Sequence, residues 1–136
     1  MADIFTPEKR SQIMASIKSG NTKPELMVRS ILHRMGFRFR LHRKDLPGRP
    51  DIVLARHRTV IFVHGCFWHL HSGCREGRLP NSRREFWSAK LSANALRDVR
   101  NAKALEEIGW RVITVWECEL KDRAALVDRL VRELNL

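Results

Sequence analysis

Two apolar runs, D-I-V-L-A at residues 51–55 and T-V-I-F-V at residues 59–63, are separated by only three polar residues, R-H-R. Runs rich in β-branched and aromatic residues favour strands, and so short a polar connection obliges the chain to double back. The pair predicts a buried hairpin. A third run, W-R-V-I-T-V-W at residues 110–116, has the same continuous apolar character and follows a helical stretch stopped by Gly109.

The other segments read as helices. In T-K-P-E-L-M-V-R-S-I-L-H-R-M-G, residues 22–36, Thr22 and Glu25 have capping-box spacing. Val28, Ile31, Leu32 and Met35 then repeat at i, i+3, i+4, i+7, and Gly36 ends the helix. The following F-R-F-R-L alternates like a half-exposed strand. Ser82 and Glu85 suggest a second capping box, opening helical character that runs, with room for a break, to Ile108. Leu126, Val127, Leu130, Val131 and Leu134 form the stripe of an amphipathic last helix. At the other end, Thr6, Pro7 and Gly20 bound a short basic helix whose stripe, Ile13, Met14 and Ile17, is thin. Such a helix either docks loosely or rests on a partner. The order α, α, β, β, β, loop, α, β, α defines an α/β fold with a mixed central sheet flanked by helices. A length of 136 residues suits one domain, 1–136, with residues 1–20 as its basic arm.

There is no apolar window long enough to span a membrane and no hydrophobic signal region, so a cytoplasmic protein is expected. Lys and Arg number 26 against 15 Asp and Glu, a formal net charge of +11 spread along the chain. That excess favours a partner with a dense line of phosphates, and nucleic acid leads. Three cysteines cannot close a disulfide framework, which leaves metal binding or inert burial.

The stretch V-H-G-C-F-W-H-L-H-S-G-C, residues 63–74, holds two of those cysteines, three histidines and two adjacent aromatics. Cys66, His71 and Cys74, with Cys118 beyond the end of the third run, supply the four ligands of a tetrahedral structural zinc. His69 competes with His71 for the fourth position. Phe67 and Trp68 either cover the core beside the zinc or project as an apolar wedge of the kind that enters a weakened base step. Trp87 is either a third wedge or a core residue.

G-R-P-D sets Asp51 at the start of a buried strand, where a carboxylate either caps the turn or binds a cation. Hairpin pairing would bring it near His64. Beside His64 and His69, on a phosphate-seeking protein, the balance moves to magnesium-assisted phosphodiester hydrolysis. Histidine can carry either proton-transfer role, and Asp98 is either its orienting carboxylate or a solvated surface residue.

Together P-G-R-P-D, F-V-H-G-C-F-W-H, E-F-W and G-W-R-V-I-T-V-W-E-C closely resemble the very-short-patch-repair (Vsr) mismatch endonucleases, along nearly the whole chain. The resemblance implies a restriction-endonuclease-type core with a structural zinc. It also implies nicking of duplex DNA beside a T:G mismatch left by deamination of 5-methylcytosine. Asp51 would ligate magnesium with the Val63 carbonyl, His64 and His69 would act at phosphate and water, and Asp98 would support His69. Glu25 would hydrogen-bond metal-bound water. Phe67, Trp68 and Trp87 would enter the DNA stack and the N-terminal arm would close round the duplex. A monomer in the bacterial cytoplasm, on the nucleoid and in contact with mismatch-repair proteins, completes the expectation. Two features depart from the family pattern: Val63 stands where F-T-H-G-C has threonine, and the zinc loop has one more residue and fewer histidines.

Overall fold

The computed structural model describes residues 22–71, 74 and 79–134, so the expected basic helix between Thr6 and Gly20 lies outside the described residues. The elements run α1 (Lys23–Arg34), β1 (Arg40–Leu41), β2 (Ile52–Leu54), β3 (Thr59–His64), α2 (Arg84–Glu107), β4 (Arg111–Trp116) and α3 (Arg123–Glu133). Short 3-10 turns occupy Ala55–His57 and Glu117–Lys121. The sheet order is β1-β2-β3-β4. β1 to β3 pair antiparallel, as the predicted hairpin requires, and β4 joins β3 in parallel from Thr59↔Arg111 to His64↔Trp116. A parallel neighbour needs a long crossover, and α2 supplies it.

Alternation along the strands divides the core between two faces. Ile52, Leu54, Ile61, Ile113 and Val115 pack with Val28, Leu32, Leu126 and Leu130 of α1 and α3. Val53, Val60 and Trp110 pack with Leu46 and with Leu105 of α2. Helices therefore cover both faces of the mixed sheet. Among the described residues, no helix is long and apolar enough to cross a membrane.

Several local expectations need correction. The F-R-F-R-L strand shrinks to Arg40–Leu41, because its partner β2 offers only three residues and His42 turns away with φ +47°. The Ser82 capping box does not form: the N-cap is Arg83, in the left-handed region at φ 54°, and the helix begins one residue later. From there α2 runs unbroken for 24 residues. β4 is also less buried than its composition suggested, with Ile113 and Val115 inside and Arg111 exposed.

The turn that leads into Asp51 is held against α2. Gly48 has φ +77°, and a Cβ there would lie 2.9 Å from the Asn101 side chain. Both the backbone conformation and the space require glycine. Gly48→Ala is expected to destabilise the fold by about 2 kcal/mol, from left-handed strain plus overpacking. Adding Asn101→Gly should recover only the packing part. Denaturant midpoints of the three proteins check this.

Candidate functional site

Both β3 and β4 end at the same edge of the sheet because they run parallel, and the functional side chains gather there. They border a wide cleft of about 1200 Å³ lined by, among others, Glu25, Asp51, His64, Trp68, His69 and Asp98.

On one side, Glu25, His42 and Asp51 bring one ligand atom each within 4.8 Å of one another. The sheet explains His42: Leu41 pairs with Ile52, and His42 N–H continues the ladder by donating to the Asp51 carbonyl at 3.3 Å. Its Nε2 then sits 3.0 Å from Glu25 Oε2 and 3.8 Å from Asp51 Oδ1. Glu25 keeps part of its expected helix-start role, since its N–H donates to Thr22 Oγ1. Its side chain is only 7% exposed and is also held by Arg29. Asp51 Oδ2 accepts the Val63 N–H at 2.7 Å. Burial pushes the Asp51 carboxyl up from 3.8 to about 6; the Val63 N–H opposes the rise and the nearby Glu25 charge adds to it.

On the other side stand His64, His69 and Asp98. Asp98 Oδ2 lies 2.5 Å from His69 Nδ1. A carboxylate only accepts, so Nδ1 carries the hydrogen and Nε2 is the atom left for proton transfer. The His64 ring stacks on His69 at 3.8 Å and 5°. Among the described residues its Nδ1 has no hydrogen-bond partner, lying 3.9 Å from Asp98 Oδ2. Burial, reinforced by the neighbouring His69, pulls His64 down to about 4 against the opposing pull of Asp98, so it is neutral at pH 7. Asp51 and His64 therefore belong to separate clusters of one cleft, rather than to a single pair.

Behind the loop, Cys66, His71, Cys74 and Cys118 place their ligand atoms within 4.8 Å of one another. His71, not His69, joins the cysteines. Its Nδ1 is 3.4 Å from Cys118 Sγ, and Trp116 stacks on its ring at 4.0 Å and 5°. Cys118 is presented by the turn after β4, where the Glu119 carboxylate accepts the Trp116 N–H and two 2.7 Å contacts from Arg129. All three thiols are free. Burial, with the adjacent thiols, pushes Cys66 up to about 12 and raises Cys118 as well.

Phe67 and Trp68 neither sink into the core nor stand free. With Trp87 they form one half-buried aromatic cluster, ring centroids 5.2 to 5.8 Å apart. Asn94 of α2 donates to the Trp68 carbonyl at 3.2 Å and fixes the loop beneath.

His42 is the site residue that sequence reading missed. It follows a two-residue strand and carries no periodic signal; only its spacing from a paired Asp51 would have revealed it.

A carboxylate cluster facing a His–Asp pair across one cleft has the parts that metal-assisted phosphodiester hydrolysis uses. The family model described as DNA mismatch endonuclease Vsr matches residues 2–75. The chain is 58% identical over 130 residues to the type II nicking enzyme V.XorIIP of Xanthomonas oryzae pv. oryzae, spanning 96% of this chain and 95% of that protein. It is 50% identical over 138 residues to the type II nicking enzyme V.NmeAIP of Neisseria meningitidis, spanning 99% and 98%. To DNA mismatch endonuclease Vsr of Escherichia coli it is 44% identical over 133 residues, spanning 98% and 85%. The chain belongs to the Vsr family of DNA mismatch endonucleases.

Because the Asp51 carboxyl holds its proton more tightly folded than unfolded, the fold is least burdened below pH 4 and loses stability as pH rises through about 6. Each pH unit is worth about 1.4 kcal/mol, so Asp51→Asn should stabilise the protein by about 2 kcal/mol at pH 8 in magnesium-free buffer. The gain should fade towards pH 4. Melting temperatures of both proteins across that range check it.

Proposed function

We propose that this protein nicks one strand of duplex DNA beside a T:G mismatch, the product of 5-methylcytosine deamination, and so starts very short patch repair. The observation that carries the reading is the convergence on one cleft of Asp51, the His69–Asp98 pair and the rings of Phe67 and Trp68. The α/β core is read as the restriction-endonuclease type, and residues 1–136 as a single domain.

The donor sets fit the two implied metals. Around Asp51 the donors are oxygens, and a buried acid pushed up to about 6 is relieved by a cation; Mg2+ suits such a set, held by Asp51 and the Val63 main-chain carbonyl. When bound, it supplies Lewis-acid stabilisation of charge at the phosphate and the attacking water. Val63 in place of threonine leaves that carbonyl intact. Cys66, His71, Cys74 and Cys118 are the borderline-soft set of a structural Zn2+. Tetrahedral ligand edges at zinc are about 3.5–3.8 Å, close to the 3.4 Å between Cys118 Sγ and His71 Nδ1.

The chain's own groups do the rest. His69, oriented by Asp98, moves a proton through Nε2, at the water or the leaving oxygen. His64 stays neutral and offers a hydrogen-bonding face to the phosphate. Glu25, buried beside Asp51, orients water next to the scissile bond. Phe67, Trp68 and Trp87 enter the stack at a step that the mismatch has already weakened, which lowers the cost of opening. The charge of +11 holds the backbone, and the 1–20 arm closes round the duplex. A single nick needs one active site, so the protein acts as a monomer, in the bacterial cytoplasm at the nucleoid. Its nicked product passes to mismatch-repair proteins.

End-labelled T:G and matched C:G duplexes, incubated with magnesium, test this. The expected result is a nick confined to the T strand of the mismatch, absent without magnesium and in Asp51→Ala, and slowed about 10²–10⁴-fold in His69→Ala. Equal cutting of matched DNA would favour a restriction-type enzyme, and binding without cutting a DNA-binding module. Cys118→Ser should lower the bound zinc measured by atomic absorption and the melting temperature together, with the Trp116 fluorescence environment changed.

A further inference from the structure

His42 has no part in the reaction just described, yet it is placed as a ligand would be. We propose that His42 Nε2 completes a mixed nitrogen–oxygen cation site with Glu25 and Asp51, able to take Mn2+ as well as Mg2+. The assignment rests on the cation-assisted reading above.

The geometry supports it. At a metal–ligand distance of about 2.1 Å, adjacent ligands of an octahedral ion lie about 3.0 Å apart and opposite ones about 4.2 Å. His42 Nε2 is 3.0 Å from Glu25 Oε2 and 3.8 Å from Asp51 Oδ1, inside those limits for both partners. The imidazole is not a passing surface group. Its backbone is tied to Asp51 by the N–H to carbonyl bond at 3.3 Å, and φ +47° turns the chain at this residue. Asp51 Oδ2 is occupied by the Val63 N–H, so Oδ1, the atom nearer His42, is the one left to meet a cation. Without an ion His42 hydrogen-bonds Glu25; with the hydrogen on Nδ1 instead, the Nε2 lone pair is available to the metal.

The consequence is selectivity. Mg2+ prefers oxygen donors and keeps its waters, whereas an imidazole nitrogen adds to the affinity of later divalent ions. A nitrogen at this position should therefore matter little for Mg2+ and much for Mn2+.

Pulsed electron paramagnetic resonance of Mn2+ bound to the zinc-loaded protein reads the contact directly. Imidazole ¹⁴N modulation is expected in the wild type, and it should change to the ¹⁵N pattern after histidine labelling. His42→Gln should abolish the modulation and weaken Mn2+ binding at least tenfold, as loss of even a supporting group at a metal site does. Mg2+ binding by calorimetry should change less than about twofold. His42→Asp, which keeps a ligand oxygen, should retain Mn2+ but lose the nitrogen signal. Absence of ¹⁴N modulation in the wild type, or its persistence in His42→Gln or His42→Asp, overturns the proposal without reference to activity. A protein that nicks T:G duplex with Mg2+ but lacks the signal loses only the ligand assignment; one that has the signal but cuts no duplex loses only the nuclease reading.

Discussion

The parallel pairing of β3 with β4 is the constraint on which the rest of the molecule depends. Six matched residues, from Thr59↔Arg111 to His64↔Trp116, send both chains out of the sheet at the same end. The loop after β3 carries Cys66, His69 and His71, and the turn after β4 carries Cys118, so a metal-type cluster can close between segments 44 or more residues apart in sequence. An antiparallel β4 would deliver Cys118 to the opposite edge. The same pairing sets Trp116 against the rings of both His64 and His71, so one indole stands between the Cys–His cluster and the cleft.

The cleft edge is electrostatically expensive in the metal-free fold. A buried carboxylate at Asp51, a second at Glu25, a desolvated His64 and three crowded thiols are each disfavoured in their charged or metal-binding forms by burial. The core faces show no comparable conflict: they are aliphatic and closed over by helices. Groups that oppose folding are concentrated where chemistry is proposed, and nearly all stability comes from elsewhere.

Sequence reading was strongest where periodicity acts alone. The hairpin, the α1 stripe and the last helix follow from patterns that burial enforces, and each is present. Local signals that compete with tertiary contacts were less reliable. Ser82 had the residues of a cap, but Arg83 adopts the left-handed conformation and starts the helix one position later. The choice between His69 and His71 could not be made from spacing, because it depends on which ring faces Asp98 of α2 and which faces Cys118. The aromatic cluster was likewise invisible in part: Trp87 meets Phe67 and Trp68 only because α2 begins beside the loop.

Helix α2 ties these parts together with unusual economy. Trp87 near its start belongs to the aromatic cluster, Asn94 secures the loop, Asp98 orients His69, and Asn101 seats the turn before Asp51. At 1.5 Å per residue, Trp87 and Asp98 are about 16 Å apart along one rigid axis. That helix is in effect a ruler. The offset between the opened base step and the broken phosphate would be written in the spacing of α2, and a single residue inserted between them would swing Asp98 by about 100° away from His69.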